Sequence, residues 1–212
     1  MRIFTIGHST SSFDELVAAL RGFGVRTLVD IRTVPRSRHV PQFNAETLRR
    51  TLPNRRIRYR HVRALGGLRK ARADSSNTAW RNASFRGFAD YMETPEFAEA
   101  VDGLRALSRE AGPVAIMCAE AVPWRCHRSL VADALAAGGD EVVHIMGPGT
   151  GRLHSLTPWA RVAGGRVTYP GPPPPPARAT RRPSSRRDAR VPRAGPGASG
   201  GRAKAKQGAL WK

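Results

Sequence analysis

The chain has 212 residues and a formal net charge of +20, with 36 Lys and Arg against 16 Asp and Glu. This length suits one domain of ordinary size plus a remainder too biased in composition to fold by itself. No apolar run approaches the roughly 20 residues that span a bilayer, and no secretory signal is recognisable, which argues against a membrane-spanning protein. We expect a cytoplasmic protein whose two cysteines are reduced, catalytic or metal-binding.

The first part of the chain alternates strand and helix patterns. Residues 3–6 form a short apolar run, and an amphipathic helix follows, with capping-box spacing at Ser12. Residues 27–31 are a second apolar run. The order strand, helix, strand predicts two parallel strands.

The middle of the chain is more polar. Residues 45–52 favour a short helix, and residues 57–62 alternate in the manner of a half-buried or edge strand. Residues 69–84 show no period, which is typical of a long surface loop that carries binding function. Two helices follow, and Thr94 and Pro95 cap the second.

The strongest strand signal lies at residues 114–117, before a helix over 126–137 and a strand over 141–145. Alternating helices and continuously apolar strands predict an α/β fold, in which one three-layer domain has a mainly parallel sheet flanked by helices. We place this domain at residues 1–150 and an irregular extension at 151–171.

Residues 172–212 form a Pro- and Arg-rich tail that we predict to be disordered. Eight Arg, three Lys and one Asp give this tail half of the formal net charge of +20. A positive, flexible arm associates with polyanions such as nucleic acid or acidic lipid by counterion release. The alternative is a solvated extension with no dedicated partner.

The densest group of reactive side chains lies between the strongest strand and its helix, in residues 118–129, which read CAEAVPWRCHRS. A purely structural loop is more often built from Gly, Asn, Asp and Ser, so these ionisable groups indicate function. Ligands of parallel sheets bind beyond the carboxyl ends of the strands. Since polar groups also follow the first two strands, we predict that three sequence-distant clusters meet at one rim.

The helix dipole and neighbouring arginines favour a thiolate at this junction, which can act as a nucleophile beside a carboxylate or imidazole that transfers protons. The predicted catalytic residues are Cys118, Glu120, Cys126, His127 and His8. The predicted substrate-binding residues are Gly7, Ser9, Asp30, Arg32, Arg36, Arg38, Arg125 and Arg128. For Asp30 and Arg32, a plain ion pair at a strand end is an equally good interpretation.

The cysteines are also compatible with structural or metal-binding roles. Cys118 has the position of a small, inert core residue. Cys118, Cys126 and His127 are three soft metal ligands, with His8 or His61 available to complete a tetrahedral site. Because their spacing matches no common zinc signature, we rank a metal centre below a metal-free thiol site and predict no cofactor.

Six separated motifs occur in this sequence. They are IGHST at 6–10, VDIR at 29–32 with PRSR at 35–38, QFN at 42–44, LGG at 65–67, FRGFADYM at 85–92, and CAE at 118–120 with CHRS at 126–129. In this order, over roughly residues 3–146, they resemble the bacterial and archaeal family called domain of unknown function 488. The resemblance implies a compact α/β domain and adds weight to the motif residues, but it implies no reaction.

The leading hypothesis is a thiol-dependent transferase or hydrolase that acts on an anionic substrate, such as a nucleotide, a nucleic acid or a phosphorylated metabolite. The first alternative is a non-catalytic nucleic-acid-binding protein that uses the basic residues 48–73 and the tail. The second alternative is a metal- or redox-sensing thiol protein.

Overall fold

Apolar strands and amphipathic helices alternate along residues 1–172, which are the residues that the computed structural model describes. The strands are β1 (Arg2–Gly7), β2 (Thr27–Asp30), β3 (Arg58–His61), β4 (Val114–Cys118), β5 (Glu141–Gly147), β6 (Thr150–Leu153), β7 (Arg161–Ala163) and β8 (Arg166–Thr168). The α-helices are α1 (Phe13–Gly22), α2 (Ala45–Thr51), α3 (Ala83–Tyr91), α4 (Pro95–Ala111) and α5 (Arg128–Ala137).

Six of the strands form one sheet in the order β3-β2-β4-β1-β5-β6. The first five in this order run parallel, and β6 runs antiparallel to β5. Gly7 pairs with Cys118, and Asp30 pairs with both Met117 and His61, so the carboxyl ends of β1 to β4 lie level at one edge. The predicted α/β fold with a mainly parallel sheet is confirmed, while residues 173–212 of the predicted tail lie outside the described part of the chain.

Helices cover both faces of the sheet because β4 is apolar on both sides. Every residue of this strand is buried, and successive side chains point to opposite faces. Ile116 packs in the cluster that includes Phe88 of α3 and Leu130 of α5. Met117 packs in the cluster that includes Leu20 of α1 and Leu48 of α2. The two clusters give the three layers that the sequence predicts.

The helix starts follow the predicted capping signals. The Ser12 side chain accepts a hydrogen bond from the Glu15 N–H, and the Glu15 carboxylate accepts one from the Ser12 N–H, which completes a capping box before α1. The Thr94 side chain accepts a bond from the Phe97 N–H at the start of α4. These side chains satisfy N–H groups that have no partner inside the helix.

The long loop before α3 is fixed by Asp90, which is nearly fully buried. Its carboxylate accepts hydrogen bonds from the Arg72 N–H at 2.8 Å, the Ser75 hydroxyl at 2.5 Å and the Asn77 amide at 2.9 Å. The Asn77 carbonyl oxygen in turn accepts a bond from the Tyr169 N–H at 2.8 Å. A segment without sequence periodicity is thus held in place by one carboxylate.

Two elements differ from their predictions. The helix predicted over residues 126–137 begins at Arg128, because Cys126 has an extended backbone and His127 is the N-cap. The extension at 151–171, predicted to be irregular, contributes to β6 and forms the β7–β8 hairpin. These strands are short and mostly exposed, so they lack the apolar periodicity by which strands are recognised.

Within residues 1–172, no helix has both the length and the apolar character that crossing a membrane requires.

Candidate functional site

The polar residues that follow β1, β2 and β4 meet at one rim of the sheet, as the topology predicts. Backbone hydrogen bonds continue the parallel ladder past the strands, from the His8 N–H to the Cys118 carbonyl at 3.1 Å and from the Ser9 N–H to the Ala119 carbonyl at 2.9 Å. The Ile31 N–H bonds to the Met117 carbonyl at 3.0 Å. The chain segments that carry the predicted site are therefore tied together by their backbones.

A cleft of about 320 Å³ opens at this rim, and we call it the thiol cleft. Loops after β2 and β4, residues 67–68 and the start of α3 contribute to its walls. The predicted site residues in its lining are Arg32, Cys118, Glu120, Arg125, Cys126 and His127. The other predicted residues are not among the described residues that line it; these are Gly7, His8, Ser9, Asp30, Arg36, Arg38 and Arg128.

Cys118, Cys126 and His127 form a compact group that we call the thiol cluster. One Sγ atom from each cysteine and a ring nitrogen of His127 all lie within 4.8 Å of one another. The His127 Nδ1 atom is 4.0 Å from Cys118 Sγ and 3.7 Å from Cys126 Sγ. Both cysteines are buried, with 8% and 5% of their surface exposed, and both line the thiol cleft.

A contact of the Nε2 atom sets the orientation of the His127 ring. Nε2 faces the Ile31 carbonyl oxygen at 3.3 Å. A carbonyl only accepts hydrogen bonds, so Nε2 carries a proton and, in the neutral ring, Nδ1 presents its lone pair to the two sulfurs. Phe88 packs edge-on against this ring, with centroids 5.1 Å apart. His127 is thus fixed with its reactive nitrogen toward the thiols.

The two thiols have opposite pKa shifts. The Cys126 thiol lowers the pKa of Cys118 because it stabilises the Cys118 thiolate, and His127 acts in the same direction against the effect of burial. The Cys118 thiolate and burial raise the pKa of Cys126. These opposite shifts favour a single negative charge on the pair, carried by Cys118, with Cys126 as the proton donor.

Arg128 lies behind the thiol cluster and is not among the described residues that line the thiol cleft, so its predicted role in substrate binding stays a prediction. Only 1% of it is exposed, and its Nη2 donates to the Ala121 carbonyl at 3.1 Å. Its Nε and Nη1 have no hydrogen-bond partner among the residues that the structure describes. The charge of Arg128 lowers the pKa of Cys126, although burial and the Cys118 thiolate outweigh it. Burial lowers the pKa of Arg128 and negative charge on Cys126 and Cys118 opposes this shift, so Arg128 is a buried cation coupled to both sulfurs.

The lack of a side chain at Gly7 leaves space for the Arg128 guanidinium. A Cβ atom on Gly7 would collide with the Glu120 carbonyl oxygen and would lie 2.7 Å from Arg128 Nη1. The absent side chain lets the loop after β4 close over the end of β1. Ser9, two residues later, has a positive φ of 46°, a conformation that is uncommon for residues other than glycine. Gly7 and Ser9 therefore shape the contact between β1 and the loop after β4. Their roles in substrate binding stay predictions.

Asp30, Arg32, His8 and Tyr59 form a second group at the same rim, which we call the Asp30 network. The Arg32 guanidinium donates Nε to Asp30 Oδ1 at 2.8 Å and Nη2 to the Phe43 carbonyl at 2.7 Å. The Tyr59 hydroxyl donates to Asp30 Oδ2 at 2.8 Å. Asp30 has no exposed surface and Arg32 has 7%, so the structure shows a buried ion pair at a strand end.

His8 uses both ring nitrogens in this network. Nε2 lies 3.1 Å from Arg32 Nη1, which can only donate, and Nδ1 lies 2.9 Å from the Ser9 carbonyl, which can only accept. His8 is therefore neutral, with its proton on Nδ1, and burial lowers its pKa further. Its ring stacks on Phe43 with centroids 4.3 Å apart. His8, predicted to be catalytic, thus has both ring nitrogens paired and is not among the described residues that line the thiol cleft.

The remaining predicted residues divide by exposure. Glu120 and Arg125 are exposed at the mouth of the thiol cleft, where their charges face incoming molecules. Arg36 and Arg38 are also exposed, but they lie in the loop before α2 and do not join the lining. His61 bonds through Nε2 to the Arg32 carbonyl at 2.8 Å. Neither His61 nor His8 therefore lies with the thiol cluster as a fourth metal ligand.

One feature of the site was missed by sequence reasoning. A Cβ on Gly67 would collide with the His127 Nδ1 atom, so this glycine gives the imidazole its space. The LGG motif at residues 65–67 contains the signal, since a glycine that admits no side chain often marks a close approach. Its partner could not be read from the sequence, because His127 is distant along the chain.

Comparison with known proteins gives one match. The family model described as Domain of unknown function DUF488 matches residues 12–135, which is more than half of the 212 residues. A search of curated proteins and a search of solved structures each find no match.

Proposed function

The chain belongs to the family described as Domain of unknown function DUF488, and from its site we propose that it is a thiol-dependent transferase or hydrolase acting on an anionic substrate. The observation that carries the proposal is the thiol cluster, in which Cys118, Cys126 and His127 lie within 4.8 Å of one another beneath a cleft. The lowered pKa of Cys118 supplies the thiolate form, which is the nucleophilic form of cysteine.

In the proposed reaction, the Cys118 sulfur forms a bond to an electrophilic carbon or phosphorus of the substrate. The bond from that atom to the leaving group breaks, and the leaving group takes the electron pair. His127 Nδ1 holds the proton released from Cys118 and returns it to the leaving group. Water or another acceptor then attacks the enzyme-bound group, gives its proton to His127, and releases the Cys118 thiolate.

Cys126 and Arg128 assist this step without forming bonds to substrate. The Cys126 thiol stabilises negative charge on Cys118. Its own sulfur accepts a hydrogen bond from the Arg128 N–H at 3.4 Å, at the start of α5. Charge on the pair is therefore favoured both by a proton donor and by the positive end of a helix.

The preference for an anion rests on Arg125. Of the two arginines that line the thiol cleft, Arg32 is already bound to Asp30, whereas Arg125 is exposed and forms no ion pair within residues 1–172. A free guanidinium at the mouth attracts carboxylate or phosphate groups. Glu120, at the same mouth, is the second proton-transfer candidate.

The test is covalent capture by the full chain of activated anionic probes, an aryl phosphate and a carboxylate-bearing thioester. Intact-mass measurement should show one adduct per chain, located on Cys118 by peptide mapping. Cys118→Ala should form none, and Arg125→Gln should form it more slowly with the same final amount. Adduct formation that survives Cys118→Ala, or its absence with every probe, would reject the proposal.

A second candidate function, a metal centre on the same three residues, is favoured by the His127 geometry. A metal-bound histidine usually donates its other N–H to a carbonyl or carboxylate, as His127 Nε2 does to Ile31. Two cysteines and one histidine with an open fourth position are a ligand set known for catalytic zinc. Metal analysis of protein purified without chelator decides between the two, because one zinc per chain that is lost in Cys126→Ala supports the metal centre.

A further inference from the structure

A second cavity of about 530 Å³ lies beyond the thiol cleft and shares none of its lining residues. Its walls come from the loop after β4, the first turn of α5, strands β5 and β6, and the segment after β6. We call it the tryptophan cavity. Its lining includes Trp80, Trp124, Trp159, Arg152, His144 and His154.

Three of the four tryptophans of the chain line this one cavity, and the fourth, Trp211, lies outside the described residues. Trp80 is held at its base, stacked on Phe85 with centroids 4.7 Å apart and edge-on to Trp159 at 5.1 Å. Trp124 and Trp159 remain 58% and 41% exposed. Large aromatic surfaces left open to solvent at a cavity are unusual in a monomer and indicate a binding role.

A positive charge accompanies these rings. The Arg152 guanidinium lies 5.5 Å from the centroid of the Trp124 ring. Arg152 is exposed and forms no ion pair within residues 1–172. No carboxylate is among the described residues that line the cavity. An occupant that is both planar and anionic therefore matches the rings and the charge together.

Two of the lining residues, His144 and His154, belong to a chain of hydrogen bonds that continues into the core behind the cavity. His154 Nε2 lies 2.9 Å from the Asp133 carboxylate, His154 Nδ1 lies 3.0 Å from His144 Nε2, and His144 Nδ1 lies 2.7 Å from the Thr5 hydroxyl. Asp133 also accepts the Tyr169 hydroxyl at 2.8 Å. Every ring nitrogen of the two histidines has a hydrogen-bond partner, so these side chains are fixed in the wall of the cavity.

We propose that the tryptophan cavity binds single-stranded nucleic acid, with bases stacked on Trp124 and Trp159 and a backbone phosphate at Arg152. Aromatic side chains stack on any base, and a nearby guanidinium pairs with the phosphate. Two open rings and a third at the base offer stacking area for more than one base, which favours a strand over a mononucleotide. The formal net charge of +20 favours a polyanion in the same way.

The test uses the full chain and two end-labelled 12-mers, one of thymidylate and one abasic with the same phosphates. Fluorescence anisotropy measures both affinities over a range of salt concentrations. Because the abasic strand reports only electrostatic binding, the ratio of the two affinities isolates the contribution of the bases. We expect the thymidylate strand to bind about ten-fold more tightly.

Trp124→Ala should remove most of this ratio, whereas Trp124→Phe should retain it. Arg152→Gln should lower the dependence of log affinity on log salt by about one for both strands. Arg109→Gln removes an exposed arginine from α4, away from the cavity, and should change neither quantity. Since Trp124 is mostly exposed, its replacement leaves the core intact.

Equal affinities of the wild-type chain for the two strands would overturn the proposal. So would an unchanged ratio in both Trp124→Ala and Trp159→Ala. Thymidine monophosphate should not displace the labelled strand when both are present at the same concentration of bases. If it did, the cavity would be a site for a free nucleotide, and the proposal would be overturned.

Discussion

The thiol cluster and the Asp30 network lie at the same rim of the sheet, yet their polar groups are used in opposite ways. In the Asp30 network, Arg32 bonds to a carboxylate, a carbonyl and an imidazole, and His8 uses both ring nitrogens. In the thiol cluster, the hydrogen-bonding neighbours of the His127 Nδ1 atom among residues 1–172 are the two sulfurs, at 3.7 and 4.0 Å. The polar groups of the Asp30 network are paired with one another, whereas His127 Nδ1 faces weakly bonding sulfurs, and the proposed reactivity rests on this difference.

Residue type alone therefore does not identify a catalytic group. His8 and His127 are both histidines of the rim, but only His127 has a nitrogen without a strong hydrogen bond. A ring whose donor and acceptor are both satisfied in a buried site gains little by exchanging protons. The histidines of the tryptophan cavity belong with His8 in this respect.

The largest effect on stability is expected from Asp30→Ala. This change leaves the Arg32 guanidinium buried without its carboxylate, and it also removes the acceptor of the Tyr59 hydroxyl. We expect the free energy of unfolding in urea to fall by about 3–5 kcal/mol.

The matched control for this change is Asp14→Ala, which removes an exposed ion pair with Arg55. It should leave the free energy of unfolding unchanged, because exposed pairs are screened by solvent. The contradicting result is an Asp30→Ala variant whose free energy of unfolding is as high as that of the control but whose Cys118 no longer captures the probes. Asp30 would then belong to the reactive group, and the distinction between the two groups would fail.

A smaller loss is expected from Gly7→Ala, because a Cβ atom there would collide with the Glu120 carbonyl oxygen and approach Arg128. The new methyl group forces the loop after β4 to move, and we expect the free energy of unfolding to fall by about 1–3 kcal/mol. Gly103→Ala in α4 is the control, since nothing lies within 4 Å of a Cβ there. That change should stabilise the protein by about 0.5–1 kcal/mol, as alanine favours helices.

The last prediction concerns the pH dependence of stability. Burial lowers the pKa of His144 from 6.5 to about 3. The unfolded chain therefore binds more protons than the folded protein between these pH values, and stability that is present above about pH 6.5 is lost as pH falls toward 3. The free energy of unfolding should be lower at pH 4.5 than at pH 7.5, and this difference should shrink in His144→Gln.

His39→Gln, at an exposed loop position, should keep the full difference between the two pH values. An equal difference in both variants would show that His144 is not held neutral by the chain of bonds to His154 and Asp133.

Much of the scaffold could be predicted from the sequence because its signals are local. The apolar run at residues 114–117 and the capping box at Ser12 each specify an element by themselves. Parallel topology then places the ends of β1, β2 and β4 at one rim, so the meeting of His8, Asp30 and Cys118 followed from the order of the elements.

The chemical state of the rim could not be predicted in the same way. It depends on hydrogen bonds between distant segments, such as those from Arg32 to the Phe43 carbonyl and to His8. The tryptophan cavity was missed for a related reason. Its walls include the extension after residue 150, whose short exposed strands carry no periodic apolar pattern.

The most direct test of the difference between the two groups is the pH dependence of iodoacetamide alkylation at each cysteine of the folded, full-length chain. Peptide mass spectrometry resolves Cys118 from Cys126, and zinc is quantified in the same sample. We predict that Cys118 reacts with a midpoint well below the reference pKa of about 8.5, that Cys126 stays slow, and that His127→Ala raises the midpoint of Cys118. Two metal-free thiols that both react only at or above pH 8.5 would contradict the assignment of the thiol cluster as the reactive centre.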